Sequence, residues 1–150
     1  MRSTKHSAGF SIDQPIDQVF PLFSPEGEKR WVPDWDYENV MGTTELSEDY
    51  VFLTRTHDHA ASDAIWFIKQ YLPEDWLIQF YRVEPETKIG VVTIQCSKTN
   101  KCVTHVEVAY QYIALSDEGR KFIDSFTIEY YEKFIDEWRT LILKYFELNF

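Results

Sequence analysis

Residues 117–148 constrain the fold more than any other part of the sequence. The hydroxyl of Ser116 can cap a helix, and the acidic residues that follow suit its first turn, where the helix dipole favours negative charge. No proline follows. Apolar residues recur at helical spacing, namely Phe122, Ile123, Phe126, Tyr130, Phe134, Trp138, Leu141, Ile142 and Tyr145. The pattern predicts one continuous helix of about 30 residues, roughly 45 Å long, that needs a large curved apolar surface as its partner.

Composition restricts the class of protein. A chain of 150 residues is large enough for one domain, so we expect residues 1–150 to form a single domain. A hydrophobic content of 44% indicates a packed core. The net charge of −10 repels phosphate backbones, so no nucleic-acid partner is expected. No apolar run is long enough to span a membrane and no secretory signal is visible, so the expected location is the cytoplasm.

The order of elements predicts an α+β fold. Residues 4–13 end in a short strand, and two short helices follow, one capped by Asp13 and one by Ser24. Six further strands are predicted at about 37–46, 50–58, 64–72, 76–84, 89–97 and 102–114. Because the turns between them are too short for crossover helices, the strands should be antiparallel. We therefore predict a curved antiparallel sheet of about seven strands wrapped around the long C-terminal helix.

Three stretches carry a resemblance to a known family. These are residues 19–35 (VFPLFSPEGEKRWVPDW), 81–85 (YRVEP) and 110–119 (YQYIALSDEG). They are similar to bacterial polyketide-cyclase-like members of the START/Bet v1-like (SRPBCC) superfamily, and the resemblance covers nearly the whole chain. It implies the helix-grip fold. It says less about function, because the superfamily includes lipid carriers, hormone receptors and aromatases.

Strand parity predicts the residues that face the helix. In the last strand Val106, Val108 and Tyr110 share one face, and pairing through a turn at 97–101 extends this face to earlier strands. A three-residue turn at 85–87 would add Arg82, whereas a two-residue turn would reverse that step. The predicted cavity walls are Phe52, Phe67, Ile78, Phe80, Val92, Ile94, Val106, Val108, Tyr110, Phe126, Tyr130 and Phe134. Arg82 is the predicted polar anchor, because a guanidinium on an apolar face needs an anion from the protein or from a ligand.

Other polar clusters favour structural interpretations. His57 and His59 flank Asp58 with a spacing that can hold a metal, but no third ligand is evident, so we predict surface turn residues and no metal site. No cofactor is expected. The acidic cluster of Glu26, Glu28, Asp34 and Asp36 suits helix capping and a solvated loop.

Two pairs of residues leave alternatives open. Trp31 and Trp35 either form a lid over a cavity or pack against the sheet edge. Cys96 and Cys102 flank the predicted turn at 97–101 and could face each other across two strands. Free thiols are favoured over a disulfide, since a reducing compartment is expected.

Three functions are compatible with these features. The first is binding of a small hydrophobic or aromatic molecule in a cavity between the sheet and the C-terminal helix. The second, implied by the resemblance, is a polyketide cyclase/aromatase-like enzyme, for which only Tyr110, Tyr130 and Arg82 are candidate pocket groups, and no catalytic residue is assigned. The third is a protein-interaction module whose core is completely filled. A homodimer is also left open.

Overall fold

The computed structural model describes residues 2–55 and 63–149. Strand β1 (Ser3–Ile12) is followed by α1 (Ile16–Val19), a 3₁₀ helix (Phe20–Phe23) and α2 (Pro25–Glu28). Strands β2 (Tyr37–Glu38), β3 (Val51–Thr54), β4 (Ala64–Leu72), β5 (Leu77–Glu84), β6 (Lys88–Asn100) and β7 (Val103–Ala114) come next, with a 3₁₀ helix at Pro73–Asp75. Helices α3 (Asp117–Ser125) and α4 (Ile128–Asn149) end the chain.

The strands form one seven-stranded antiparallel sheet in the order β1-β7-β6-β5-β4-β3-β2. The predicted sheet and the short helices after β1 are therefore confirmed. Alternate residues of the strands point to an inner face, which packs against the C-terminal helices to form the core. The longest helix, α4, buries Tyr131, Ile135, Trp138, Ile142 and Phe146 on this face.

The C-terminal helix is two helices rather than the predicted one. Phe126 leaves the helical region, with φ −88° and ψ 68°. Ser125 Oγ donates to the carbonyl of Phe122 at 2.7 Å. Thr127 then caps α4, because its Oγ1 accepts from the backbone N–H of Tyr130 at 3.2 Å. Short hydroxyl side chains compete for backbone hydrogen bonds, so a stretch without proline can still be interrupted.

The interruption also changes which side of the helix is buried. The predicted stripe continued from Phe126 to Tyr130 and Phe134 at a spacing of four. In the structure Tyr131 is completely buried and Tyr130 is 56% exposed, because α4 restarts the helical phase after Thr127.

Two loops differ from the predicted strands. The predicted strand at 37–46 is shortened to the two residues of β2, and the loop after it is held by Tyr50, whose hydroxyl donates to the carbonyl of Thr43 at 2.6 Å. The β6–β7 turn lies at Lys101 and Cys102 instead of 97–101, and a bulge between Lys98 and Asn100 restores the predicted parity.

The cysteines therefore do not oppose each other. Cys96 pairs with Val106 and is buried, whereas Cys102 is exposed in the turn, and both thiols are free. Within residues 2–55 and 63–149, none of the helices combines the length and the apolar character needed to cross a membrane.

Candidate functional site

A pocket of about 630 Å³ lies between the inner face of the sheet and helices α3 and α4, with α2 and the loop after it completing the wall. Its size is in the range of small-molecule sites. Nine of the 19 lining residues are aromatic, namely Trp31, Trp35, Trp66, Tyr110, Tyr112, Phe122, Tyr130, Phe134 and Trp138.

A charged cluster occupies the sheet side of this pocket. Arg82 Nη1 donates to Glu84 Oε2, and Lys88 Nζ lies 2.9 Å from the same oxygen. The Arg82 guanidinium stacks 5.4 Å from the centre of the Trp66 ring, and Lys88 Nζ lies 3.9 Å from that of Phe122. The side chains of Lys88 and Glu84 are only 8% and 5% exposed. Two cations thus share one buried carboxylate, which leaves a surplus positive charge in an apolar wall.

Strand alternation and one tight turn assemble this cluster. Arg82 and Glu84 are two residues apart on β5 and so point to the same face. Glu84 pairs with Lys88 across the three-residue turn at 85–87, which is the turn length that the sequence analysis required. Helix α3 packs directly on this turn, because a Cβ at Gly119 would lie 2.0 Å from the carbonyl oxygen of Thr87.

Two tyrosine hydroxyls add hydrogen-bond donors to the pocket. Within the described part of the chain neither Tyr110 nor Tyr112 has a hydrogen-bond partner for its hydroxyl. Burial raises the pKa of Tyr112 to about 12, although Arg82 opposes the shift. Burial likewise raises the pKa of Tyr110 well above its usual range. Both hydroxyls therefore keep their protons at neutral pH and can donate to a ligand.

Glu28 places a free carboxyl in the same pocket. Ser24 caps α2 by accepting from Gly27 N at 2.8 Å, and Glu28 ends this helix with its side chain in the pocket wall. Gly27 permits this position, because a Cβ there would lie 1.9 Å from the carbonyl oxygen of Pro21. Among the residues described, none forms a hydrogen bond or ion pair with the Glu28 carboxyl. Burial raises the pKa of Glu28 to about 8.

Two residues of the predicted acidic cluster, Glu26 and Glu28, therefore have different surroundings. Glu26 forms an ion pair with Lys29 at 2.8 Å on the outside of α2, as expected of a solvated helical residue. Glu28 differs from the prediction because the close packing of Gly27 turns this end of the helix towards the core.

Replacing Glu28 by glutamine is expected to change how stability depends on pH. The pKa rises from 4.5 to about 8 on folding, so the folded state holds this proton more tightly and loses stability as pH rises across that interval. One pKa unit corresponds to about 1.4 kcal/mol, and contact with solvent in the pocket should reduce the total effect to about 2 kcal/mol. Urea unfolding at pH 5 and pH 9 measures the effect. The free energy of unfolding of Glu28→Gln, relative to that of the wild type, should be higher at pH 9 than at pH 5. Parallel curves for the two proteins would contradict the assignment, and Glu26→Gln serves as the matched control.

Four of the predicted site residues line the pocket: Arg82, Tyr110, Tyr130 and Phe134. Eight others are buried in the core outside this lining, namely Phe52, Ile78, Phe80, Val92, Ile94, Val106, Val108 and Phe126. Phe67 lies on the opposite face of the sheet, with its ring centre 5.0 Å from that of Tyr81. Trp66 takes the inner position instead, because it pairs with Phe52 on one side and Arg82 on the other.

The sequence analysis missed Glu28, Trp66, Glu84, Lys88 and Tyr112 as site residues. Parity could have identified two of them, since Glu84 shares the face of Arg82 and Tyr112 that of Tyr110. Lys88 could be assigned to the same face once the length of the turn at 85–87 is known, because that turn pairs it with Glu84. Glu28 had no such signal, because its position depends on how α2 packs.

Both loop tryptophans line the pocket and are tied to the α2 region. Trp31 Nε1 donates to the carbonyl of Leu22 at 2.8 Å, and Trp35 Nε1 donates to that of Pro25 at 2.9 Å. His57, Asp58 and His59 lie outside the described residues. Elsewhere, in residues 2–55 and 63–149, no three His, Cys, Asp or Glu side chains gather as a metal site would require.

Solved structures resemble this fold over most of its length. Norcoclaurine synthase from Thalictrum flavum, in complex with dopamine and hydroxybenzaldehyde, gives a TM-score of 0.67 at 14% identity, covering 95% of this chain and 87% of that one. Protein MLL2253 from Mesorhizobium loti gives 0.64 at 10% identity, covering 94% and 98%. Ginseng major latex-like protein 151 from Panax ginseng gives 0.63 at 19% identity, covering 77% and 82%.

No family model and no curated protein matches the sequence. At these identities the structural similarity concerns the fold, and at that level it confirms the predicted resemblance. The seven-stranded antiparallel sheet, the short helices after β1 and the long terminal helix agree with it. The chain therefore has the Bet v1 helix-grip fold.

Proposed function

We propose that the chain binds a small aromatic molecule that carries a carboxylate or another anionic group. The observation that supports this proposal is the surplus positive charge of the Arg82–Glu84–Lys88 cluster, which lies against aromatic rings on the sheet side of the pocket. The carboxylate of Glu84 neutralises one of the two positive charges, and an anionic group of the ligand would neutralise the other. The aromatic walls would supply affinity through burial of the rings, at about 25 cal/mol per Å².

The tyrosines fit the same ligand class. The hydroxyls of Tyr110 and Tyr112 are donors without partners in the described part of the pocket, so an acceptor group on the ligand would satisfy them. Norcoclaurine synthase, whose fold is similar, holds dopamine and hydroxybenzaldehyde, which are small aromatic molecules. That similarity supports the class of ligand and not its identity.

The proposal predicts a preference for acids that depends on Arg82. Isothermal titration with 2-naphthoate and with the uncharged 2-naphthalenemethanol compares ligands of similar size. We expect the acid to bind at least about tenfold more tightly, because a hydrogen bond to a charged group contributes about 1.5–3 kcal/mol. Arg82→Gln leaves Glu84 and Lys88 as a neutral pair, so this variant should fold and lose the preference.

The matched control is Arg120→Gln, which removes an exposed arginine whose ion pair with Asp117 spans 3.6 Å. It should retain the preference of the wild type. Equal affinity for the two ligands, or an unchanged preference in Arg82→Gln, would contradict the proposal.

The remaining expectations from the sequence differ in how far the pocket supports them. A completely filled core has no support, because the pocket is present. An enzymatic function needs an acid or base in the pocket, and Glu28 meets that requirement. Cytoplasmic location and a homodimer stay predictions from the sequence.

A further inference from the structure

We propose that the pocket catalyses proton transfer at the carbon next to a carbonyl group of its ligand, with Glu28 as the base and Tyr110 as a hydrogen-bond donor to the carbonyl oxygen. This inference rests on the proposed binding function, because it uses the same pocket. It extends that function from holding an aromatic acid to exchanging and relocating its protons.

The positions of three groups support the proposal. Glu28 lies on α2, Tyr110 on β7 and Arg82 on β5, and all three line one pocket. Burial raises the pKa of Tyr110 most, Tyr112 and Glu28 raise it further, and Arg82 lowers it. Because all three line one pocket, a ligand whose carbonyl oxygen accepts from Tyr110 shares the cavity with the Glu28 carboxyl and the Arg82 guanidinium.

The protonation states suit these roles. A general base works best when its pKa is near the working pH, and burial brings that of Glu28 to about 8. Tyr110 keeps its proton at such a pH and stays a donor. Environments that separate the pKa values of two neighbouring groups in this way are typical of acid–base sites.

The step balances without any further reactant. The Glu28 carboxylate takes a proton from the carbon next to the carbonyl, and the C–H electron pair becomes a C=C bond. The carbonyl π pair moves to the oxygen, which becomes an enolate that accepts from Tyr110, while the carboxylate of the ligand lies beside Arg82 and Lys88. Return of the proton from Glu28 to the same carbon restores the ketone, and return to a conjugated carbon shifts a double bond. Neither outcome oxidises or reduces the ligand.

Glu28 is distinguished from the other acids of the pocket. The carboxylate of Glu84 already holds two cations, and Glu118 and Glu137 are exposed on α3 and α4. Other titratable groups line the pocket with Glu28. They are Arg82 and Glu84 from β5, Lys88 from β6, Tyr110 and Tyr112 from β7, Glu118 from α3, and Tyr130 and Glu137 from α4. Of the carboxyls in the pocket, Glu28 alone is half-buried and without a partner in the described structure, since Glu84 is paired and the other two are exposed.

The test uses 6-carboxy-2-tetralone, an aromatic acid whose ketone has exchangeable neighbouring protons. Proton NMR in D₂O follows the replacement of these protons by deuterium, and isothermal titration measures binding of the same probe. We expect the full chain to accelerate exchange at least about 100-fold over buffer, which is within the range of general acid–base catalysis. The rate at saturation should rise with pH and level off above about 8, where Glu28 is ionised.

Variants separate the base from the binding site. Glu28→Gln should lose about 100-fold in exchange rate, while its affinity for the probe changes less than threefold. Glu28→Asp keeps the carboxylate and should retain part of the rate, which covers the case in which the glutamine variant folds poorly. Glu26→Gln, on the same helix but outside the pocket, should exchange like the wild type.

The outcomes distinguish the two proposals. A probe that binds without accelerated exchange overturns this inference and leaves the binding function intact. Acceleration that survives in a folded Glu28→Gln variant overturns the assignment of the base. A probe that does not bind overturns the proposed function and this inference together.

Discussion

Replacing Glu84 by glutamine is expected to lower the free energy of unfolding by about 3–5 kcal/mol at neutral pH. Glu84 is the single carboxylate between Arg82 and Lys88, and its side chain is only 5% exposed. Glutamine keeps the size of the side chain but removes the charge. Two cations would then face each other in a wall where water can replace the lost carboxylate only in part, so the cost should exceed that of losing an exposed ion pair.

Urea unfolding followed by tryptophan fluorescence measures this change. Glu86→Gln is the matched control, because Glu86 is exposed in the same turn, and it should alter stability by less than about 0.5 kcal/mol. Addition of 2-naphthoate should stabilise Glu84→Gln more than it stabilises the wild type, since the ligand supplies the missing negative charge. A loss of less than 1 kcal/mol would show that the cluster is hydrated and carries no surplus charge of consequence.

Replacing Tyr131 by alanine is expected to cost about 3–5 kcal/mol, whereas the same change at the neighbouring Tyr130 should cost less than about 1 kcal/mol. Tyr131 is 0% exposed, and its hydroxyl donates to the backbone carbonyl of Val108. Its removal leaves a cavity and takes away a buried hydrogen bond. Tyr130 is 56% exposed, so its removal takes much less surface out of the core.

The pair of variants is its own control, because the two residues are adjacent and chemically identical. Thermal and urea unfolding of both give the difference directly. Equal losses, or a greater loss at Tyr130, would mean that α4 packs in the phase expected from an uninterrupted helix. Tyr131→Phe should lose about 1–3 kcal/mol, since it keeps the ring and removes only the hydrogen bond to Val108.

Local rules predicted most of the sheet, because turn lengths carry parity from strand to strand wherever no bulge intervenes. The three-residue turn at 85–87 carried the inner face from β6 to Arg82, as the pairing of Glu84 with Lys88 confirms. The β6–β7 turn was misplaced, yet the bulge between Lys98 and Asn100 left the inner positions unchanged. The position of Phe67 could not be inferred in this way, because a bulge between Ile68 and Gln70 reverses the parity of β4 relative to β5.

The site was harder to predict than the fold, for two physical reasons. The helical phase after Phe126 depends on capping by Thr127. A shift of one residue makes Tyr131 the buried tyrosine in place of the predicted Tyr130. The position of Glu28 depends on the packing of a helix of only four residues. Such packing is a tertiary effect, and the sequence of α2 alone is equally compatible with a solvated acid.

The pairing of β1 with β7 has a consequence for how the chain is made. The first strand of the sequence pairs along its whole length with the last strand, so that Ser3 lies opposite Ile113 and Ile12 opposite Thr104. A ribosome releases β1 long before β7, and β1 has no partner strand until nearly all the other strands have emerged. Pairing across so large a separation in sequence is slow because it must overcome the entropy of closing a long loop. The newborn chain therefore carries an open strand edge for most of its synthesis, and the sheet is completed by the strand that was made first.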